Sequence, residues 1–260
     1  MRILITGYRG FIGQNMVRAL ANEHDLQLYE WGESVPTVKN LDWVIHLGAI
    51  SSTTERDVER IMVQNYDFSC WLLDQCSLNG INFQYASSAS VYGLGREFSE
   101  YSKPDPRGPY SWSKFLFDRH VSRIYPHLLK DCVVQGFRYF NVHGPYEDHK
   151  GEQASPYHKF EQQAKTTGKI KVFYGSHHYL RDFIHVNRVV DIHKKFFHIK
   201  ESGIWNVGSG RPTSFQAIAD QIAKKYNATI EYIDMPENVK SQYQTYTCAD
   251  LTKLTRTLNE

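Results

Sequence analysis

The segment Tyr-Ser-Trp-Ser-Lys places Tyr110 and Lys114 four residues apart in a stretch with helical spacing. On a helix, residues at i and i+4 project from one face, so this phenol and this ammonium are expected side by side. A phenol has an ordinary pKa of about 10 and is a poor base at neutral pH. A neighbouring ammonium and a positive nicotinamide ring lower that pKa and make the phenolate accessible. The pair therefore predicts that a hydroxyl loses its proton to Tyr110 while hydride leaves for NAD or NADP.

The spacing alone is weak evidence, because the chain has 17 tyrosines. A second feature is the segment YASSASVYG, residues 85–93, which comes at the end of a predicted strand. Ligands of open parallel sheets bind beyond the carboxyl ends of the strands. Ser88 and Ser90 can therefore supply hydroxyls to the reacting oxygen.

A glycine-rich turn predicts the dinucleotide site. In ITGYRGFIG, Gly7, Gly10 and Gly13 follow an apolar segment typical of a buried strand, and a stretch with helical spacing comes next. Glycine permits this tight turn and lets the backbone approach a pyrophosphate, which the helix N-terminus stabilises. The strand before and the helix after are the context that the motif requires.

Two charged residues bear on which dinucleotide binds. Glu30 ends the second predicted strand, where a carboxylate accepts the adenosine ribose hydroxyls and repels a 2′-phosphate, which favours NAD. Arg9 lies within the glycine turn and favours NADP, because an arginine can bind that phosphate. The sequence leaves the choice between NAD and NADP open.

The elements that position these residues alternate between strand and helix. Apolar segments occur at 2–7, 26–31, 42–49, 81–87 and 132–140, and the helical stretches between them lie at 11–23, 53–79 and 110–125. This alternation predicts an α/β fold, a Rossmann-like doubly wound parallel sheet with helices on both faces.

The second half of the chain has a looser pattern, with helices expected near 155–167, 187–199 and 213–226. We expect an NAD(P)-binding domain over residues 1–145 and a smaller substrate-binding lobe over 146–260, with some segments exchanged between them. The cleft between the two is the expected site.

The link between residues 31 and 43 is unusually short. Its eleven residues span at most about 36 Å, enough to return along one strand and cross the first strand. A crossover that contains a helix needs a dozen residues or more. The sheet is therefore expected to lack its usual third strand, which leaves the adenine end of the pocket more open.

Composition argues against several function classes. The chain has 260 residues, 41% hydrophobic and 22% charged, and its net charge of +2 gives no electrostatic case for a nucleic-acid partner. No apolar stretch approaches the roughly 18 residues of a membrane helix, and a strand that starts at once leaves no room for a signal peptide. The four cysteines form no CxxC pair and the histidines no HExxH pattern. We expect a cytoplasmic protein with reduced thiols and no metal.

Several segments together resemble one family. TGYRGFIG, HLGAISS, YASSASVYG, YSWSK and FRYFNVHGP are similar to motifs of the extended short-chain dehydrogenases/reductases that act on nucleotide sugars. Within that superfamily the chain is most similar to the ADP-L-glycero-D-manno-heptose 6-epimerase family, through SSTTE (51–55), WSKFLFD (112–118), HKG (149–151), RDFIHV (181–186), SFQAIAD (214–220) and YQTYTCADL (243–251). The similarity covers nearly the whole chain.

The resemblance implies a role for each matching position. Ser88 hydrogen-bonds the substrate oxygen, Tyr110 is an acid/base with Lys114 as the partner that lowers its pKa, and Lys150 is a second acid/base. The implied substrate contacts are Ser51, Ser88, Asn141, Glu152, Lys159, Arg181 and Tyr243. With the glycine motif, the implied cofactor contacts are Gly7, Tyr8, Arg9, Gly10, Phe11, Ile12, Gly13, Glu30, Leu47, Gly48, Ala49, Tyr110 and Lys114.

Lys150 lies in the polar segment at 141–155, whose glycines and proline predict a loop. Two nearby residues differ from the family pattern. Glu152 stands where the family has a serine, and Lys159 stands where it has a histidine. Both belong to the expected sugar and phosphate region, so the substrate stays open.

The implied reaction is epimerisation through transient oxidation. Hydride leaves a sugar carbon and returns to the other face, so no net redox occurs and NAD or NADP stays tightly bound. A reacting carbon on an exocyclic arm moves its oxygen on rotation, which makes a second proton donor reasonable.

The expected function is a nucleotide-sugar epimerase, with C6 of ADP-heptose as its target. The alternatives are a 4-epimerase or 4-reductase of another nucleotide-diphosphate sugar, and a non-catalytic NAD(P)-sensing protein. A shortened dinucleotide lobe that binds cofactor too weakly for turnover is a further alternative. The resemblance also implies a homo-oligomer formed through the helices at 53–79 and 110–125.

Overall fold

The computed structural model describes residues 1–124, 127, 132–240 and 243–260. In the first half the strands are β1 (Arg2–Thr6), β2 (Asp25–Tyr29), β3 (Trp43–His46), β4 (Asn82–Ser88), β5 (Val134–Tyr139) and β6 (Asn141–His143). The helices of this half are α1 (Phe11–Leu20), α2 (Val58–Ile61), α3 (Phe68–Asn79) and α4 (Pro109–Ile124).

In the second half the strands are β7 (Lys169–Phe173), β8 (Leu180–His185), β9 (Gly203–Val207), β10 (Pro212–Ser214) and β11 (Thr229–Ile233). The helices are α5 (Pro156–Thr167), α6 (Val186–Phe196), α7 (Phe215–Tyr226), α8 (Glu237–Lys240) and α9 (Thr252–Leu258). None of the helices in the described residues is long and apolar enough to cross a membrane.

Six parallel strands form the main sheet in the order β2-β1-β3-β4-β5-β9. Residues 30–42 contain neither helix nor strand, and among the described strands β2 pairs with β1 alone, so the predicted loss of the third strand is confirmed. The Rossmann-like doubly wound architecture is confirmed as well.

Both faces of this sheet are buried, and successive side chains of β1 show how. Ile3 and Ile5 pack with Met16 of α1 and Val190 of α6, whereas Leu4 packs on the other face with Leu72 of α3. Alternate residues of a strand point to opposite faces, so a continuous apolar strand needs a helix layer on each side. Burying each of these side chains stabilises the fold by about 1.5–3 kcal/mol.

Two smaller sheets follow residue 140. One has the order β10-β8-β6, and the other pairs β7 with β11 against the core of α5 and α7. Strand β9 lies in the main sheet although it comes late in the chain. The division into domains at residues 145/146 stays a prediction.

Some element boundaries differ from those expected. The helix predicted from 53 begins at Val58, because the Asp57 side chain accepts a hydrogen bond from Arg60 N and caps it there. A π-helical turn, Met62–Asp67, then separates α2 from α3. Helix α4 is described as far as Ile124, and residue 125 of the predicted 110–125 helix lies outside the described residues.

Candidate active site

A cleft of about 400 Å³ lies beyond the carboxyl ends of β1, β3, β4 and β5. Most of the predicted site residues line it: Gly7, Gly10, Phe11, Ile12, Gly13, Glu30, Leu47, Gly48, Ala49, Ser51, Ser88, Tyr110, Lys114, Asn141 and Lys150. Six others, Tyr8, Arg9, Glu152, Lys159, Arg181 and Tyr243, are not part of its wall.

The glycine turn leaves no room for side chains. Gly7 has a φ of +72°, and a Cβ on it would lie 2.5 Å from Gly48 N. A Cβ on Gly13 would lie 2.1 Å from Gly7 O. Helix α1 begins after Gly10 without a side-chain cap, so its first amide groups are free for an anion. This uncapped helix end at the cleft fits a dinucleotide pyrophosphate.

The charged residues beside the turn bind each other. Arg9 donates its backbone N–H to Glu30 Oε2 at 3.1 Å, and its guanidinium lies 2.7 Å from Glu33 Oε1. Arg9 Nε also donates to Tyr8 Oη at 2.9 Å. Of these groups only Glu30 lines the cleft. The arginine that favours NADP is thus already paired with a carboxylate, Glu33, which the sequence did not single out.

The predicted catalytic residues meet on one wall. Lys114 Nζ donates to Ala86 O of β4 at 2.8 Å, and the side chain is buried. Tyr110 lies one turn earlier on α4 and hydrogen-bonds the side chain of Ser88. Ser88 Oγ also accepts from Ser90 N at 3.1 Å, which caps the 3₁₀ turn Ala89–Tyr92. The Ser90 hydroxyl is buried and makes no hydrogen bond to any residue that the structure describes.

Burial dominates the electrostatics of this wall. It raises the pKa of Tyr110, and the hydrogen bond to Ser88 opposes that rise. Burial lowers the pKa of Lys114 to about 8, against the attraction of Asp118. In the protein alone, then, the hydrogen bond to Ser88 favours the phenolate, and the help expected from Lys114 and from a nicotinamide charge stays a prediction.

A polar residue that sequence reasoning missed supports Tyr110 from behind. Asn65, in the π-helical turn, accepts from Ile50 N at 2.8 Å and donates to Ile50 O and to Ser113 Oγ at 3.0 and 3.1 Å. Ser113 Oγ donates in turn to Tyr110 O at 2.8 Å. An asparagine within a helical stretch gives no sequence signal of this role, because its partners are distant in the chain.

The segment 141–155 also lines the cleft, and its first three residues form strand β6 rather than the predicted loop. Lys150 Nζ lies 4.8 Å from the centre of the Phe11 ring and 3.2 Å from Glu147 Oε2. The predicted loop is shaped as a short 3₁₀ segment, Asp148–Gln153, with a kink at Gly151. Lys150 therefore lines the same cleft as Tyr110.

The two residues that differ from the family pattern bind each other. Lys159 Nζ lies 2.9 Å from Glu152 Oε2, and the Glu152 side chain is 96% exposed. The hydrogen bond from Lys159 lowers the pKa of Glu152. The pair is neutral in sum, so the added carboxylate does not leave an unbalanced negative charge beside the loop.

Arg181 and Tyr243 lie in an aromatic cluster beyond the cleft wall. The Arg181 guanidinium lies 5.2 Å from the Tyr243 ring centre and 5.8 Å from that of Phe215. It is buried, and it donates to the backbone oxygen Leu180 O at 3.1 Å. Arg181 and Phe183 are alternate residues of β8, and alternate side chains of a strand lie on the same face of the sheet. Arg181 therefore lies on the face that carries Phe183, which lines the cleft.

No group of three or more histidine, cysteine, aspartate or glutamate side chains within the described ranges could hold a metal ion. The four cysteines are free thiols, of which Cys76 and Cys132 are buried.

Comparison with known proteins shows which family has this fold. Residues 3–208 match the model of the NAD dependent epimerase/dehydratase family. The ADP-L-glycero-D-manno-heptose-6-epimerase of Helicobacter pylori is similar over 99% of this chain and 90% of its own, with 25% identity and a TM-score of 0.86.

Two solved 4-epimerases share the fold. The UDP-N-acetylglucosamine 4-epimerase of Methanobrevibacter ruminantium matches 100% of this chain and 92% of its own, at 21% identity and a TM-score of 0.89. The UDP-glucose 4-epimerase of Thermotoga maritima matches 100% and 93%, at 22% identity and a TM-score of 0.85. The family model covers most of the chain, and the protein is an enzyme that uses NAD or NADP. It belongs to the NAD-dependent epimerase/dehydratase family.

Proposed function

We propose that the protein is a nucleotide-sugar epimerase that acts at the exocyclic C6 of an ADP-heptose. One observation supports the proposal: Tyr110 and Lys150 line the same cleft, and the glycine turn lines it too. When bound there, NAD or NADP accepts hydride from the sugar carbon and returns it.

Tyr110 and Lys150 each carry out one of the two proton transfers. In the first step the C–H bond breaks as hydride leaves, the hydroxyl proton goes to the Tyr110 phenolate, and a carbonyl forms. Rotation of the exocyclic arm then turns the carbonyl oxygen toward Lys150. Hydride returns to the other face of the carbon, and the Lys150 ammonium gives the oxygen its proton.

Substrate recognition is proposed for residues around this centre. Ser88 and Asn141 hold the sugar, since both line the cleft beside Tyr110. Arg181 binds the diphosphate, because its buried guanidinium has donors to spare. Ser51, Glu152, Lys159 and Tyr243 complete the proposed contacts.

Purified protein, incubated with NAD or NADP and ADP-D-glycero-D-manno-heptose, is expected to interconvert the two C6 epimers, as followed by proton NMR. UDP-glucose and UDP-N-acetylglucosamine serve as the competing substrates. Epimerisation of a UDP-sugar alone would replace the C6 proposal by a 4-epimerase. Binding of neither dinucleotide would contradict every enzymatic proposal.

Tyr110→Phe tests the first acid/base. It removes only the phenolic oxygen, so we expect turnover to fall by at least about 100-fold while cofactor binding is kept. Turnover is measured by NMR, and binding by the rise in melting temperature with added NAD. Wild-type turnover in this variant would contradict the assignment.

Lys150→Ala tests the second acid/base. We expect it to stop epimerisation but to spare aldehyde dismutation of a truncated substrate analogue, because that reaction needs no rotated oxygen. The two activities are measured on the same preparation. Equal loss of both would make Lys150 a binding residue.

A further inference from the structure

The buried carboxylate of Glu147 has no role in the reaction as described so far. It is fully buried and lies in the loop that carries Lys150. A carboxylate is rarely buried without several hydrogen bonds, since desolvation strongly disfavours the charged form. The partners of Glu147 therefore indicate what it is for.

Both Glu147 oxygens are used. Oε1 accepts from Gly144 N at 3.1 Å and from Ser155 Oγ at 2.7 Å. Oε2 accepts from Ser155 N at 2.7 Å and from Lys150 Nζ at 3.2 Å. Burial alone raises the pKa of this carboxyl, but the bonds from Ser155 and the charge of Lys150 outweigh it, and the pKa is lowered. Glu147 is thus a fixed negative charge that ties both ends of the loop together.

The loop is shaped so that Lys150 comes back to this charge. Gly151 has a φ of +49°, a left-handed conformation that lets the chain reverse between Lys150 and Ser155. Lys150 N also donates to Glu147 O at 2.9 Å. The side chain of Lys150 is 21% exposed, and its ammonium lies over the Phe11 ring.

The same loop is fastened to the helix that begins at the glycine turn. Asn15 Nδ2 of α1 donates to Pro145 O at 3.0 Å, and Arg18 lies over the Tyr146 ring. The Lys150 ammonium is thus held between the Glu147 carboxylate and the Phe11 ring of α1.

We propose that Glu147 is a positioning residue that holds the Lys150 ammonium at the cleft wall, ready to give its proton to the substrate oxygen. The inference rests on the proposed function for its catalytic meaning, but the ion pair itself can be tested without any sugar. Glu147 does not touch the substrate; it acts through Lys150.

The first test measures how fast Lys150 is acylated by acetic anhydride at pH 8, read by mass spectrometry on the intact enzyme. In Glu147→Gln the amine loses the ion pair that holds it at the cleft wall and becomes more accessible, so we expect labelling at least about threefold faster than in the wild type. Ser155→Ala loosens the same loop but keeps the charge, and we expect less than about a twofold change. Equal rates in Glu147→Gln and wild type, or equal acceleration in both variants, would overturn the proposal.

A matched control lies in the same loop. Glu152→Gln removes the exposed partner of Lys159, and it is expected to leave Lys150 labelling unchanged, because Glu152 is not among the partners of Lys150. A change in Lys150 labelling in this control would show that any loss of negative charge nearby suffices, and would also overturn the proposal.

Lys150→Met provides a test that leaves the other bonds of Glu147 in place, should Glu147→Gln fail to fold. If Glu147 holds the loop and the loop presents the lysine, the amides of Gly144 and Ser155 keep their wild-type protection from hydrogen exchange. Loss of that protection would mean that the lysine holds Glu147, the reverse of the proposal.

Turnover measurements test the catalytic part of the proposal. Glu147→Gln is expected to lower epimerisation at least about tenfold through kcat, with KM nearly unchanged, and to spare dismutation of the truncated analogue as Lys150→Ala does. Parallel loss of both reactions would leave Glu147 with a structural role only. If the wild type epimerises no sugar, the proposed function fails while the labelling result still decides the ion pair.

Discussion

Lys114 shows how a functional side chain can oppose stability. Its pKa is about 8 in the fold, against an ordinary value near 10.5, because the ammonium is buried. Below pH 8 the lysine is charged in both folded and unfolded states, and the depressed pKa costs at most about 3 kcal/mol. This cost fades as the pH rises toward 10.5, where the lysine is neutral in both states.

Lys114→Met is therefore expected to raise the free energy of unfolding by about 1–3 kcal/mol at pH 7 and by less at pH 10, while turnover is lost. Urea denaturation at the two pH values measures this. Lys253→Met is the control: Lys253 Nζ also donates to a backbone oxygen at 2.8 Å, but it lies outside the cleft and should keep its activity. A destabilised Lys114→Met at pH 7 would contradict the account.

The sequence predicted residues whose chemistry depends on local spacing. Gly7, Gly13 and the Tyr110/Lys114 pair carry their signal within a few neighbours, and all of them line the cleft. Asn65 and Glu147 were missed, because what they do depends on contacts that no local pattern shows. Asn65, for example, bonds a serine 48 residues away.

At the scale of elements, the turn between β1 and α1 contains two glycines with different demands. A Cβ on Gly13 would collide with Gly7 O, whereas a Cβ on Gly10 would lie 3.3 Å from the same oxygen and point to open space otherwise. Both glycines line the cleft. We therefore expect a substitution at Gly13 to affect mainly fold stability, and a substitution at Gly10 to affect mainly cofactor binding.

Gly13→Ala is expected to lower the free energy of unfolding by about 2 kcal/mol or more, because the backbone must move. Gly10→Ala should cost less than about 1 kcal/mol without cofactor, yet weaken NAD binding on the order of tenfold through the methyl group in the pyrophosphate path. Melting curves with and without NAD measure both effects. Equal stability of the two free variants would contradict the assigned roles.

Element types were more predictable than their ends. Strand and helix alternation gave the buried sheet correctly, since apolar segments on both faces need helix layers. The start of α2 was misplaced: residues 53–56 stay outside the helix, because the Asp57 side chain caps it at Val58. The π-helical turn at Met62–Asp67 had no signal in spacing, and it is the turn that aims Asn65 at Ile50 and Ser113.

At the scale of the molecule, the length of the link between β2 and β3 was the informative quantity. Residues 31–43 are too few for a helical crossover, and the sheet indeed ends at β2. The pairing of β9 with β5 could not be foreseen in the same way. It joins residues 135–139 to 203–207, and only the packing of the intervening strands and helices brings them together.

The outer surface of the helices that cover the main sheet is the predicted site of self-association. Val58 of α2, Val63 of the π-helical turn and Trp112 of α4 are 55%, 43% and 47% exposed. Both α2 and the π-helical turn contact α4, so the three side chains lie on neighbouring elements. Exposed apolar side chains grouped in this way mark protein interfaces more often than isolated ones do. We expect a homo-oligomer that buries this surface.

Trp112→Glu should convert the oligomer to a monomer, because a charge buried in an apolar interface loses its hydration without gaining a partner. Light scattering coupled to size-exclusion chromatography measures the mass at several concentrations. Tyr174→Glu is the matched control, since Tyr174 is 61% exposed but lies just after β7, away from α2 and α4. A wild-type monomer, or an equal effect of both substitutions, would place the contact between subunits elsewhere or remove it. Because Trp112 follows Tyr110 on α4 by two residues, a monomeric variant with reduced turnover would further show that the interface steadies the helix carrying the catalytic tyrosine.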